Sequence, residues 1–157
     1  MRFWENRRAR AALFLLLALG YGFSAAHRQL QSGNDFPIYL DAARALLGGE
    51  SPYSPEPGLN GYVYLPFFAL VVSPLAFLPA IVAIWAWYAV NVALTVAAFR
   101  LTRGLLEETI GAAHAAWAVW LSLLVHARFF LDNYDMGQAN VLMLVLGLWG
   151  LRLAIVR

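Results

Sequence analysis

Two polar segments of this 157-residue chain contain the acidic residues that could do chemistry. The first, "QSGNDFPIYLDAARALLGGESPYSP" over 31–55, places Asp35 just before a short predicted helix; the second, "LDNYDMGQAN", contains Asp132 and Asp135. A carboxylate at a membrane boundary can serve as a general base toward a hydroxyl group. It can equally stabilise the dipole of the helix that follows it, and the residues alone leave both roles of Asp35 open.

Other chemistries are excluded by what the sequence lacks. Without cysteine there is no disulfide, thiolate nucleophile or Cys-ligated metal site. The chain has no Walker loop, GxGxxG, HExxH or Gly-x-Ser-x-Gly motif, and Asp132 and Asp135 do not have the Asp-x-Asp spacing of many nucleotide-sugar enzymes. We therefore predict no metal site and no cofactor, and a donor that is not a water-soluble nucleotide sugar.

Composition places the chain in the membrane. It is 62% hydrophobic and only 13% charged, about half the charge of a soluble domain, and its net charge of +2 is too small and scattered for nucleic acid. We predict one all-α, polytopic membrane domain over 1–157 with about four transmembrane helices. The predicted spans are 10–26, 80–100, 109–127 and 136–155, joined by an outer loop over 27–61, a cytoplasmic turn around 100–108 and an outer turn over 128–135.

The segment 62–79 is apolar but contains Pro66, Pro74 and Pro79, which divide it into pieces shorter than the roughly 20 residues of a span. If it is re-entrant or interfacial, eight arginines lie inside and three outside, as the positive-inside rule favours. The N-terminus is then cytoplasmic and both acidic segments face outward. In a bacterium this predicts the inner (plasma) membrane. A cleaved signal peptide ending near 24–26 is the alternative for the first span.

The outer loop contains the one short helix that the sequence predicts outside the membrane. Pro37 suits a first turn, and Gly48 and Gly49 suit an end, so we predict an amphipathic helix over Ile38–Leu47. Its apolar face would consist of Ile38, Ala42, Ala45 and Leu46.

Two histidines, His114 and His126, lie twelve residues apart in one apolar segment, within about 40° of the same helix face. They could relay protons in a small transporter, but we interpret them as satisfied polar residues near the ends of the span. The tryptophans and the "WAWY" run at 85–88 are interpreted as packing and lipid contacts.

Three blocks together resemble glycosyltransferase family 87. They are "DFPIYLDAARALLGGESPYSP", "YVYLPFFALVVSPLAFLP" and "LDNYDMGQANVLMLVLGLW", in the family's order, with "LP" at 65–66 where the family usually has "PP". The resemblance implies a GT-C-like fold and an inverting hexosyltransferase that uses a polyprenyl-phosphate sugar, with mannose the leading donor sugar. It implies that Asp35 is the catalytic base.

The resemblance also suggests roles for the other polar residues of the outer face. The arginines would bind the leaving phosphate, and the acids and amides would hold sugar hydroxyls, with Tyr39 beside them. The predicted substrate-binding residues are Arg28, Tyr39, Arg44, Arg128, Asp132, Asp135, Gln138 and Asn140.

Length departs from the resemblance, because such enzymes have several hundred residues and ten or more spans. We therefore expect an N-terminal portion of a transferase, or a chain that works only with a second polytopic chain as its partner. In either case we expect the chain to contact membrane lipid. The alternative is a non-catalytic membrane subunit or remnant that kept the fold.

Overall fold

The computed structural model describes residues 6–31, 34–53 and 61–155, and the regular structure within these ranges is entirely helical. The all-α prediction is therefore confirmed. The helices are α1 (Arg7–Gln29), α2 (Asp35–Leu47), α3 (Pro66–Ala76), α4 (Ala80–Ile110), α5 (Ala112–Met136) and α6 (Asn140–Ile155).

Three of the described helices are long and apolar enough to cross a membrane, namely α1, α4 and α5. The shorter apolar helix α6 has 16 residues, or about 24 Å at 1.5 Å per residue, against a hydrocarbon core of about 30 Å. The chain is thus a polytopic membrane protein, and the fourth span over 136–155 stays a prediction.

Prolines define the short segment that precedes α4. Pro66 is the first residue of α3, Pro74 lies inside it, and Pro79 caps α4. At 11 residues, or about 16 Å, α3 alone is shorter than the hydrocarbon core. It packs along α2, so the two short helices form one layer against the N-terminal half of α4.

Helix ends differ from those expected. Helix α2 begins at Asp35, three residues before the predicted start, because Pro37 is accommodated in the first turn, where backbone N–H groups need no partner. The predicted turns at 100–108 and 128–135 are wrong, since both segments are helical. Their charged side chains do not break the helix; α4 and α5 end instead at Gly111 and Gly137, whose φ angles are 79° and 69°.

The buried face of α2 also differs from the predicted one. Among the four predicted residues only Ala42 is buried, whereas Phe36, Tyr39, Leu40 and Ala43 turn inward as well. Aromatic packing explains the rotation: the Phe36 ring stacks on Trp87 of α4 at 5.4 Å with an interplanar angle of 8°. This stack fixes the first turn of α2 against the bundle.

Helix α4 is the centre of the described bundle and packs against α1, α5 and α6. Its approach to α1 requires Gly22, where an added Cβ would lie 2.6 Å from the Trp85 ring. The Tyr88 hydroxyl donates a hydrogen bond to the carbonyl of Ala18 at 2.7 Å. This contact joins the two helices within their apolar segments.

Candidate functional site

The end of α1, the first turn of α2 and the junction of α5 with α6 meet at Gly137. A Cβ there would lie 2.6 Å from Phe36 Cβ and 2.9 Å from Gln29 Oε1, and the backbone is in the left-handed region that favours glycine. Glycine is therefore required at this position. Because Phe36 follows Asp35 directly, the same contact holds the predicted catalytic base beside the "GQAN" segment.

An open cavity of about 620 Å³ lies at this meeting point. It is lined by residues of α1, the α2 cap, α5 and the α5–α6 junction: Arg28, Gln31, Asn34, Phe129, Asp132, Asp135, Met136 and Gln138. Four of the predicted substrate-binding residues thus line the same cavity.

An ion pair links the two sides of the cavity. The Arg28 guanidinium donates a hydrogen bond to the Asp135 carboxylate, which also accepts one from the Tyr21 hydroxyl at 2.8 Å. The Asp135 side chain is 14% exposed and that of Arg28 is 52% exposed, so the acid is held inside while the cation reaches solvent. The pair presents a cationic edge toward anything that enters the cavity.

Asp35 is partly buried as the first residue of α2. It is not one of the cavity-lining residues, but its neighbour Asn34 is, and the Asn34 amide donates to the carbonyl of Gln31 at 3.2 Å. Within the described residues its carboxylate forms no side-chain hydrogen bond or ion pair. A carboxylate without such a partner can accept a proton or a hydrogen bond from an incoming hydroxyl group.

Two further predicted residues, Arg128 and Asn140, contact residues that line the cavity. Arg128, with a side chain 93% exposed, pairs with Asp132 one helical turn later at 3.6 Å. The Asn140 amide donates to Gln138 Oε1 at 2.8 Å. Asn140 thereby orients a residue of the wall, although its own side chain lines a different, apolar cavity between α4, α5 and α6.

Two predicted substrate-binding residues lie away from the cavity. Arg44 pairs with Asp41 at 2.8 Å on the exposed face of α2. Tyr39 is 2% exposed in the core, and its hydroxyl is 3.1 Å from that of Tyr64. Burial, with help from this hydrogen bond, raises the pKa of Tyr39 and keeps it neutral. Neither residue lines the cavity, and their roles in substrate binding stay predictions.

Buried amides behind the cavity were missed by the sequence reasoning. Gln29 and Asn133 are fully buried; the Gln29 amide donates to the carbonyl of Tyr134 at 2.6 Å, and the Asn133 amide donates to Asn91 Oδ1 at 3.0 Å. Trp87 adds a bond from its indole N–H to the carbonyl of Gly137 at 2.7 Å. An asparagine inside the uncharged 80–99 segment was the available signal, since polar residues within a span commonly join helices.

The histidines do not approach the cavity. Both are exposed, and the His126 ring bonds the carbonyl of Ser122, one turn earlier, at 2.9 Å. Across the described residues, no group of three or more His, Asp or Glu side chains could hold a metal ion.

The fold and this cavity define a membrane-embedded helical protein with a candidate site lined by acidic residues and an arginine. The sequence model of Glycosyltransferase family 87 matches residues 62–157, more than half of the chain, so the chain belongs to this family. The matched range includes Asp132 and Asp135 and begins after Asp35.

A curated relative adds a second comparison. The chain is 28% identical to the polyprenol-phosphate-mannose-dependent alpha-(1-2)-phosphatidylinositol pentamannoside mannosyltransferase of Mycobacterium tuberculosis, over 91% of this chain and 35% of that protein. The chain thus spans about a third of the length of the curated relative it matches. No solved structure matches it.

Proposed function

We propose that this chain carries the base-containing part of a glycosyltransferase that moves a hexose from a polyprenyl-phosphate donor to a hydroxyl acceptor. The observation that supports the proposal most directly is that Arg28, Asp135 and Gln138 line one cavity beside the first turn of α2. Membership of the family and the printed name of the mycobacterial relative support a lipid-linked donor, with mannose as its sugar.

In the proposed reaction Asp35 takes the proton of the acceptor hydroxyl as its oxygen attacks the anomeric carbon. The bond from that carbon to the phosphate oxygen breaks, polyprenyl phosphate leaves, and the anomeric configuration inverts. Asp35 suits this role because its carboxylate has no partner among the described residues and because its neighbour Asn34 lines the cavity. The step needs no metal or cofactor from the protein.

The remaining cavity residues would hold the two ends of the donor. The half-exposed guanidinium of Arg28 would bind the phosphate, since arginine offers several donors in a planar fork. Asp135, Asp132 and Gln138 supply acceptors for sugar hydroxyls. Tyr21 keeps Asp135 oriented through its 2.8 Å hydrogen bond.

We further propose that the full transferase includes more polytopic structure than this chain, from a further segment or a second chain. The exposed side chains of Trp117 and Leu124 on α5 provide an apolar surface for packing it. The 35% coverage of the mycobacterial relative supports this proposal.

The donor class can be tested directly in membranes that contain the complete transferase. We expect transfer of labelled sugar from synthetic polyprenyl-phosphate mannose, and product linkages of configuration opposite to the donor's. GDP-mannose should give no transfer in the same membranes once the endogenous lipid carrier is depleted. Direct use of the nucleotide sugar would overturn the proposal, and a retained configuration would overturn the single displacement.

The orientation proposed for the chain places the cavity on the outer face of the plasma membrane. Because the chain has no cysteine, single Cys substitutions can report it. We expect Ser51→Cys and Met136→Cys, both exposed, to react with an impermeant maleimide in intact cells. Glu108→Cys should react only in opened vesicles. Labelling of Met136→Cys from the cytoplasmic side alone would separate the two walls of the proposed site.

A further inference from the structure

A second surface lies on α4, far from the cavity. Two apolar grooves meet along a ridge formed by Val96 and Arg100, which line both of them. The α4–α6 groove, about 320 Å³, runs past Ala97 to Trp149. The α4–α5 groove, about 270 Å³, runs past Val119 to Trp120 on the other side.

The ridge ends in positive charge. The Arg100 side chain is exposed, and Arg152 of α6 reaches back so that its Nη1 lies 3.8 Å from where a Cβ of Gly104 would be. Arg103 is paired with Glu107 at 2.6 Å, whereas Arg100 and Arg152 belong to no ion pair in the described part of the chain. Cations beside apolar grooves at a membrane boundary are favourable sites for an anionic head group.

The ridge and the cavity are separate. Arg100 lies 13 residues along α4 from Trp87, which bonds the junction at Gly137, and this separation is about 20 Å on a helix. None of the cavity-lining residues lines either groove. In the orientation proposed above, the ridge belongs to the cytoplasmic leaflet, where anionic phospholipids give a negative surface potential.

We propose that this ridge binds one anionic phospholipid with two acyl chains. Its phosphate contacts Arg100 and Arg152, and one chain lies in each groove on either side of Val96. Two features favour a lipid over a protein helix: the grooves are paired about one cation, and the residues preceding Arg100 are uncharged back to Ala80. The inference is independent of glycosyl transfer.

Native mass spectrometry of the purified chain in mild detergent tests the proposal. With phosphatidylglycerol and phosphatidylcholine at equal concentration, we expect at least fivefold preference for phosphatidylglycerol. Arg100→Gln should reduce phosphatidylglycerol binding about fivefold or more, which corresponds to roughly 1 kcal/mol per arginine. The matched control Arg10→Gln removes the same charge from the exposed end of α1, away from both grooves, and should leave binding unchanged.

Chain number and free phosphate provide further arms. Lysophosphatidylglycerol, with one chain, should bind at least fivefold more weakly than phosphatidylglycerol, and glycerol 3-phosphate should not compete at concentrations that saturate the lipid. Ala97→Leu, which fills one groove and leaves the charge intact, should also weaken binding and serves if Arg100→Gln does not fold. Equal loss in Arg10→Gln, equal binding of the one-chain lipid, or unchanged binding in Ala97→Leu would overturn the proposal.

Discussion

Replacing Asp35 with asparagine is expected to lower the rate of sugar transfer about 10²–10⁴-fold, because removing a general base costs about that much. The amide keeps the size of the side chain and the start of α2, but it cannot take the proton of the acceptor. The effect should fall on the maximal rate, since Arg28 and Asp135 still line the cavity. Initial rates with a polyprenyl-phosphate sugar in membranes containing the complete transferase measure it.

Asp41→Asn is the matched control for Asp35→Asn. It makes the same change on the same helix, but Asp41 is paired with Arg44 on the exposed face, and loss of a surface pair typically costs under about 1 kcal/mol. Transfer should stay within about threefold of wild type. If Asp35→Asn also stays within about threefold of wild type, with equal protein in the membrane, Asp35 is not the base. Its role is then to stabilise the dipole of α2.

Gly137→Ala is expected to destabilise the chain by roughly 3 kcal/mol or more, and to abolish transfer as a consequence. The methyl group would lie 2.6 Å from Phe36 Cβ and would require a left-handed backbone that L-residues rarely adopt. Overpacking and backbone strain each cost about 1–3 kcal/mol. Thermal or denaturant unfolding of the purified chain in detergent measures the loss.

Two other glycines separate these causes. Gly111 has φ 79° with nothing within 4 Å of an added Cβ, so Gly111→Ala reports backbone strain alone. Gly147 lies within α6 with the same open space and a helical backbone, so Gly147→Ala should be neutral or slightly stabilising. If Gly137→Ala lowers the free energy of unfolding by no more than Gly111→Ala does, Phe36 moves away from the added methyl group at little cost. The contact then does not fix the first turn of α2.

Several parts of the fold and site could be predicted from sequence. Composition and uncharged segments identify a helical membrane protein, because a lipid-facing backbone must bond within its own helix. The three proline positions indicated a segment too broken to form one long helix, and α3 is indeed 11 residues. The two acidic segments were expected on one face of the membrane, which stays a prediction; Asn34 of the first segment and Asp135 of the second line the same cavity.

The remaining differences depend on packing between distant residues. The face of α2 is set by Phe36 stacking on Trp87, a contact across 51 positions that no local periodicity contains. Tyr39 was predicted to bind substrate because it belongs to a block that resembles glycosyltransferase family 87, yet its ring is buried in the core. The ends of α4 and α5 differ from the predicted ones because charged residues do not by themselves end a helix. The backbone changes direction at glycines with positive φ.

The Arg28–Asp135 ion pair determines how the charge of Arg28 is balanced within the chain. A lone guanidinium at a membrane boundary would attract any phosphate nearby, whereas this one already has an internal counter-ion that is itself held by Tyr21. The charge of Arg28 is therefore balanced within the chain, so the bundle can assemble without a bound phosphate. In the reaction proposed above, an incoming phosphate would exchange one partner of Arg28 for another. Its affinity would then reflect the difference between two ion pairs, which favours release of polyprenyl phosphate.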